Sequence, residues 1–196
     1  MTGRVIASLN IVLPPWLAEH AAACGPMAAG DARVAFVIDL ARRNVESDCG
    51  GPFAAAVFEI ASGRLLAAAT NLVVASACSA AHAELLALSL AQQAVGRYDL
   101  GAPGHPACEL VGSAEPCLMC CGAVLWSGIR RLVYAATDAD VRAIGFDEGP
   151  KHPHWIEELR RRGIEVVGEV LRPQAQAVLA AYRERGGVVY NSRGGT

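Results

Sequence analysis

Five residues constrain this chain more than the rest of its sequence. His82 and Glu84 lie in His82-Ala83-Glu84. Pro116, Cys117 and Cys120 lie in Pro116-Cys117-Leu118-Met119-Cys120, whose first cysteine is 35 positions beyond the histidine. One imidazole and two thiolates form a zinc ligand set, so the fold must bring two distant segments within about 2.3 Å of one ion. Three protein ligands leave a fourth tetrahedral position open, the arrangement of a catalytic zinc site rather than a structural one. Glu84 is then a carboxylate beside the site that is not itself a ligand.

Each half is weak alone. His-Ala-Glu is an ordinary helix fragment, and Cys-x-x-Cys is equally a redox pair. The redox reading is disfavoured because the pair follows Pro116 and no thioredoxin-like βαβ context surrounds it. A structural zinc site needs a fourth ligand, and Cys121 is the nearest thiol. On a helix it points about 100° away from Cys120, so it is expected in the core, where free cysteines usually pack.

Local patterning is consistent with these roles. Ser79 is placed to cap a helix that starts near Ala80 and runs to about Val95, with His82 in its first turn. Cys117 and Cys120 share one face at the start of a second helix that ends near Ser127, before Gly128. The positive end of a helix favours thiolate over thiol. Both helices are apolar nearly all round and are predicted to be buried.

At 196 residues the chain fits one domain on the prior of about 100–200 residues per domain. With 53% hydrophobic and 18% charged residues it has ample material for a core. A net charge of −2 offers no basic field for nucleic acid. Arg160 to Arg162 read as the solvated face of a helix. Seven cysteines are an odd number, which argues against a secreted disulfide framework and for a reducing, cytoplasmic compartment. Val5 to Leu13 is apolar but is interrupted by Asn10 and ended by Pro14-Pro15, so it reads as an arm, not a signal peptide. No run approaches the ~18 apolar residues of a membrane span.

Predicted elements alternate along the chain. Helices are expected over 31–45, 153–162 and 173–185, with a short one started by Asp138 and ending near Gly145. Strands are expected over 53–60, 65–70, 108–112, 131–135 and 164–167, with a hairpin turn at Ser62-Gly63. The strands lack strict alternation, so both sheet faces should be covered. The helical segment between the fourth and fifth strands permits a parallel pairing. The fold class is α/β, a three-layer α/β/α sandwich around a mixed five-stranded sheet. Residues 1–30 form an N-terminal arm, 31–185 the zinc domain, and 186–196 a tail.

The H-x-E…P-C-x-x-C pattern resembles the cytidine deaminase-like superfamily, in which a glutamate moves protons beside the metal. Further residues follow the order and spacing of bacterial guanine deaminases. They are Gly50-Gly51-Pro52-Phe53-Ala54-Ala55, Asn71, Glu115, Trp126 and Gly145-Phe146-Asp147-Glu148. The similarity runs from about Asp31 to the tail and looks closest to a branch that also accepts ammeline, an aminotriazine.

This resemblance implies specific roles. His82, Cys117 and Cys120 hold Zn2+, and Glu84 carries a proton to a ring nitrogen. Glu148 is a second proton carrier aimed at the departing amine. Asn71 reads the amide edge of a purine, the Ala83 N–H contacts the base, and Phe53 and Trp126 wall the ring. Tyr190 and Asn191 lie in a tail that in related enzymes can reach a neighbouring subunit's pocket, which implies a homodimer with a shared site and makes Tyr190 a substrate-binding residue. By their residue types alone, Asn71 is a turn residue, Phe53 and Trp126 are core, and Glu148 belongs to a solvated loop. Other readings keep the same motifs: a guanosine or cytosine deaminase, a tRNA adenosine deaminase, or a structural zinc module.

Overall fold

The computed structural model describes residues 8–191, so the first part of the expected arm, including Arg4, and the last part of the tail lie outside the described residues. The sheet is built from β1 (Ala54–Glu59), β2 (Leu65–Thr70), β3 (Cys108–Ala114), β4 (Arg131–Ala136) and β5 (Glu165–Val167). Their order across the sheet is β2-β1-β3-β4-β5. β1 pairs antiparallel with β2 and β3, while β3, β4 and β5 run parallel, so the sheet is mixed as expected. The β1–β2 hairpin turns at Gly63, where φ is +71° and a Cβ would meet the Met27 carbonyl oxygen at 2.2 Å. Only glycine fits there.

Successive residues of β1 serve opposite faces. Ala54, Ala56 and Phe58 pack with α2 (Asp31–Glu46) and α7 (Arg172–Glu184), together with Val34, Val37, Val178 and Leu179. Ala55 and Val57 pack with α3 (Ala83–Val95), α4 (Leu118–Ser127) and α6 (Trp155–Arg161), together with Ala87, Leu88, Val124 and Leu159. Two cores sandwich one sheet, which is the expected three-layer arrangement.

Three local expectations are corrected. Residues 8–30 contain a helix, α1 (Pro15–Ala22), whose Leu17 is buried; Pro15 in its first turn was a start signal. The short helix α5 (Asp138–Ala143) is capped by Thr137, not Asp138. Thr137 and Asp140 exchange side-chain-to-backbone hydrogen bonds in a capping box. Finally, α4 is not buried all round, since Leu118, Met119 and Trp126 are exposed. No helix among the described residues is long and apolar enough to cross a membrane.

Two ionic clusters brace this frame. Arg33 of α2 donates to Glu109 of β3 at 2.6 Å, and both side chains are 2% exposed. Arg131 donates to the second oxygen of Glu109 at 3.2 Å. Arg33 also donates to the carbonyls of Met27 and Ile60, which joins α2, β3 and the β1–β2 end in one network. The second cluster joins α5 to α7: Asp140 accepts from Arg172 at 2.8 Å and from Gln176 at 2.8 Å.

Removing Glu109 leaves a buried guanidinium without its carboxylate. Glu109→Ala is expected to cost about 3–5 kcal/mol, read from chemical denaturation. Arg172 first, then the Thr137 N–H and Gln176, hold the Asp140 carboxyl well below the usual carboxylate range. Its folded-state pKa is therefore depressed, so its contribution is complete above the unfolded value of ~3.9 and fades as pH falls below it. Asp140→Asn should lower the melting temperature at pH 7, and the gap to the parent should narrow as pH drops below about 4.

Candidate active site

The ligand segments meet because two helices start at one end of the sheet. β2 leads through a loop into α3, and β3 leads through Glu115 and Pro116 into α4. Both helices pack on the same face. His82 is the residue before α3, with extended backbone (φ −73°, ψ 148°), and Cys117 stands in the same position before α4 (φ −65°, ψ 173°). The predicted start of the first helix is thus three residues early: the chain turns at Ser79 and Ala80, and Ser79 lines the cavity instead of capping. The extended backbone at both ligands suits residues that flank a helix start.

Nδ1 of His82 lies 3.5 Å from Sγ of Cys117 and 3.7 Å from Sγ of Cys120. Tetrahedral Zn–N and Zn–S bonds of about 2.0 and 2.3 Å require a nitrogen–sulfur separation of about 3.6 Å. All three donor atoms fall within 4.8 Å of one another. The side chains present therefore fit a zinc ion. Cys121 is turned aside, with its thiol donating to the Pro116 carbonyl at 3.4 Å.

The electrostatics suit a cation. The Cys120 thiol, then the His82 ring, hold the Cys117 thiol down at about 4, against the effect of burial. Cys120 is pushed well above the ordinary thiol value by Cys117 and by burial. A dication held by the trio would favour both thiolates and release a proton. Burial, then the charge of Cys117, raises the Glu84 carboxyl above its ordinary value. Burial, reinforced by Cys117 and Glu84, pushes Glu148 up to about 8.

A cavity of about 200 Å³ opens onto His82, Cys117, Glu84 and Glu148. Phe53 and Asn71 line it. Asn71 is held from behind, because buried Asn44 donates to the carbonyls of Gly51 and Asn71 at 2.9 and 3.1 Å. A Cβ at Gly50 would strike that Asn71 carbonyl at 2.0 Å, so the loop needs glycine. Ala83 is the first residue of α3, where backbone N–H groups have no partner within the helix.

Tyr190 and Asn191 line the cavity of their own chain. The Asn71 amide donates to the Tyr190 hydroxyl at 2.7 Å. Asn191 accepts from the Asp147 N–H and donates to the Gly145 carbonyl, both at 2.9 Å, which clasps the loop carrying Glu148. Trp126 is not in this pocket. It lies six residues beyond Cys120, about 240° round the helix, and is 83% exposed. The expected aromatic wall is made instead by Phe146, whose ring meets Phe53 edge-on at 5.1 Å. Its position in the Gly145–Glu148 segment was the available signal.

Residues 31–136 match the family described as cytidine and deoxycytidylate deaminase zinc-binding region. Guanine deaminase from Bacillus subtilis (strain 168) is 36% identical over 111 residues, covering 57% of this chain and 67% of that protein. The solved structure of guanine deaminase from Nitrosomonas europaea is 54% identical and superposes with a TM-score of 0.88, over 93% of this chain and 100% of that one. The structure of NE0047 in complex with 2,6-diaminopurine is 55% identical, with a TM-score of 0.89 over 95% and 98% of the two chains. With the ligand geometry, the two buried carboxylates and these likenesses in agreement, the chain belongs to the zinc-dependent deaminases of the cytidine and deoxycytidylate deaminase family.

Proposed function

We propose that this chain catalyses the hydrolytic deamination of guanine to xanthine and ammonia, and that aminotriazines such as ammeline, which present the same amide and amine edge, are also substrates. The observation that carries this reading is the meeting of a three-ligand zinc set with buried Glu84 and Glu148 on one cavity. Relatives named as guanine deaminases support the choice of base. At about 200 Å³ the cavity is smaller than the ~300–1,000 Å³ of typical ligand pockets, which favours a free base over a nucleoside.

When bound, zinc supplies a Lewis acid that makes water a nucleophile near neutral pH. Glu84 accepts the proton lost by that water and delivers it to the ring nitrogen beside the amine-bearing carbon. Its carboxyl is buried beside the ligand set, within the cavity that would hold the base. Glu148 lines the same cavity; it delivers a proton to the departing amine, which leaves as ammonia only once protonated, and regains one from the new hydroxyl as the carbonyl forms. Asn71 offers an amide donor and acceptor to the lactam edge. The Ala83 N–H contributes a further contact to the base. Phe53 and Phe146 cover the ring and exclude water, and Tyr190 lines the cavity beside Asn71.

The open face of α4 supports self-association. Leu118, Met119 and Trp126 are 45%, 39% and 83% exposed along one side of a helix that begins at the metal ligands. We infer that a second copy covers them, as large apolar residues grouped on a surface favour an interface. The unpaired cysteines fit a reducing, cytoplasmic setting.

The decisive assay measures ammonia release by the zinc-loaded protein from guanine, ammeline, guanosine, cytosine and adenosine in tRNA. Turnover of guanine well above the nucleosides, cytosine and tRNA is expected, and silence on guanine would sink the reading. Glu84→Ala should lower kcat by at least ~100-fold while one zinc per chain remains, and loss of the metal in that variant would remove its assigned role. Sedimentation should give a dimer that Trp126→Glu with Met119→Glu converts to monomer. A monomeric parent would refute the interface.

A further inference from the structure

Lys151 is a cation with no assigned part in the reaction, yet the fold buries it. Its side chain is 8% exposed. Its Nζ donates to Glu115 at 2.6 Å, to Asp138 at 2.8 Å and to the Pro116 carbonyl at 3.2 Å. Each of the three ammonium hydrogens therefore has an acceptor. The Trp155 ring lies beneath it, 5.6 Å from Nζ. Burial works against the charge, but the bonds to Asp138 and Glu115 outweigh it and keep the pKa above the ordinary lysine value. Glu115 also accepts from the Asp138 N–H at 3.0 Å, which closes the network.

The place of this network in the chain matters more than its strength. Glu115 and Pro116 immediately precede the ligand Cys117, and Lys151 follows Glu148 by three residues. At the other end of that short segment, the Glu148 carbonyl accepts from the Leu118 N–H at 3.0 Å. The two strips of chain that carry a metal ligand and a proton carrier are therefore joined at two points, one on each side of Cys117. A single hydrogen bond would let the Glu148 segment pivot about Leu118, and the ammonium on Pro116 removes that freedom. The loop's other ties, from Arg142 and Asn191, hold Gly145, Asp147 and Gly149 but do not reach the ligand segment.

We propose that Lys151 is a positioning residue for the deamination, fixing the Glu148 carboxyl relative to Cys117 by bridging the Pro116 carbonyl, Glu115 and Asp138. This rests on the reading of the cavity as a guanine site with Glu148 as proton carrier. A group displaced by about 1 Å loses up to about 100-fold in rate while contacts that bind the ring elsewhere persist. Lys151→Met should therefore lower kcat for guanine by about 10- to 100-fold with KM within about twofold. Zinc content should remain one per chain, and the affinity for 8-azaguanine measured by calorimetry should be unchanged.

A role in stability alone would not produce that split. It would also not vanish in a double variant: adding Lys151→Met to Glu148→Gln should lower kcat no further than Glu148→Gln alone. An unchanged kcat in folded, zinc-replete Lys151→Met overturns the inference, as does a full multiplicative loss in the double variant or a fall that tracks lost zinc. If Lys151→Met does not fold, Asp138→Asn, which weakens one of the three anchors, should show a smaller loss with the same split. Unchanged kcat there overturns the inference too. Wild-type silence on guanine marks a failure of the underlying reading, whereas wild-type turnover with insensitive variants marks a failure of the Lys151 assignment only.

Discussion

Everything at the functional end of this protein depends on the meeting of two helix starts. His82 stands before α3 and Cys117 before α4, and the cavity opens between them. Collecting two thiols, an imidazole and two carboxylates in a buried space is unfavourable unless something balances their charge. The side chains by themselves express that conflict: one thiol is depressed, the other is raised, and both carboxyls are pushed towards protonation. A dication relieves it. Affinity for a metal therefore originates in that crowding of buried donors.

The sheet makes this meeting possible. β3 and β4 run parallel, and the ligand segment lies just beyond the carboxyl end of β3, where α/β folds place their sites. The buried Arg33–Glu109–Arg131 cluster joins α2 and the sheet around the opposite end of β3. From α2 the buried side chain of Asn44 also reaches the backbone of Asn71, so the helix on one face orients a residue of the cavity served by the other. His82 and Cys117 sit at the starts of helices packed on the sheet, whereas Asn71 and Glu148 lie in loops at the cavity.

Much of this was legible in the order of residues. The strands lie where apolar runs between turn residues placed them, and β2 has the expected limits. The ligand trio followed from donor chemistry and spacing. Helix starts were less legible, because a cap residue such as Ser79 announces a start only if the chain has no other use for it. Thr137 became the cap of α5 because Asp140 could answer it across one turn. The burial of α4 was overestimated because an apolar helix reads alike whether its outer side meets the same chain or another molecule.

The sequence by itself determined the zinc chemistry, since only certain atoms bind the metal and their number states whether a position stays open. It also determined the layered class, since runs of apolar strand residues require cover on both faces. Tertiary structure alone decided which aromatic rings face the cavity, that Tyr190 folds back onto Asn71, and that Lys151 reaches Pro116. These are contacts between residues far apart in the chain. They depend on side-chain direction and on the angle at which helices cross a twisted sheet, and no local pattern encodes either.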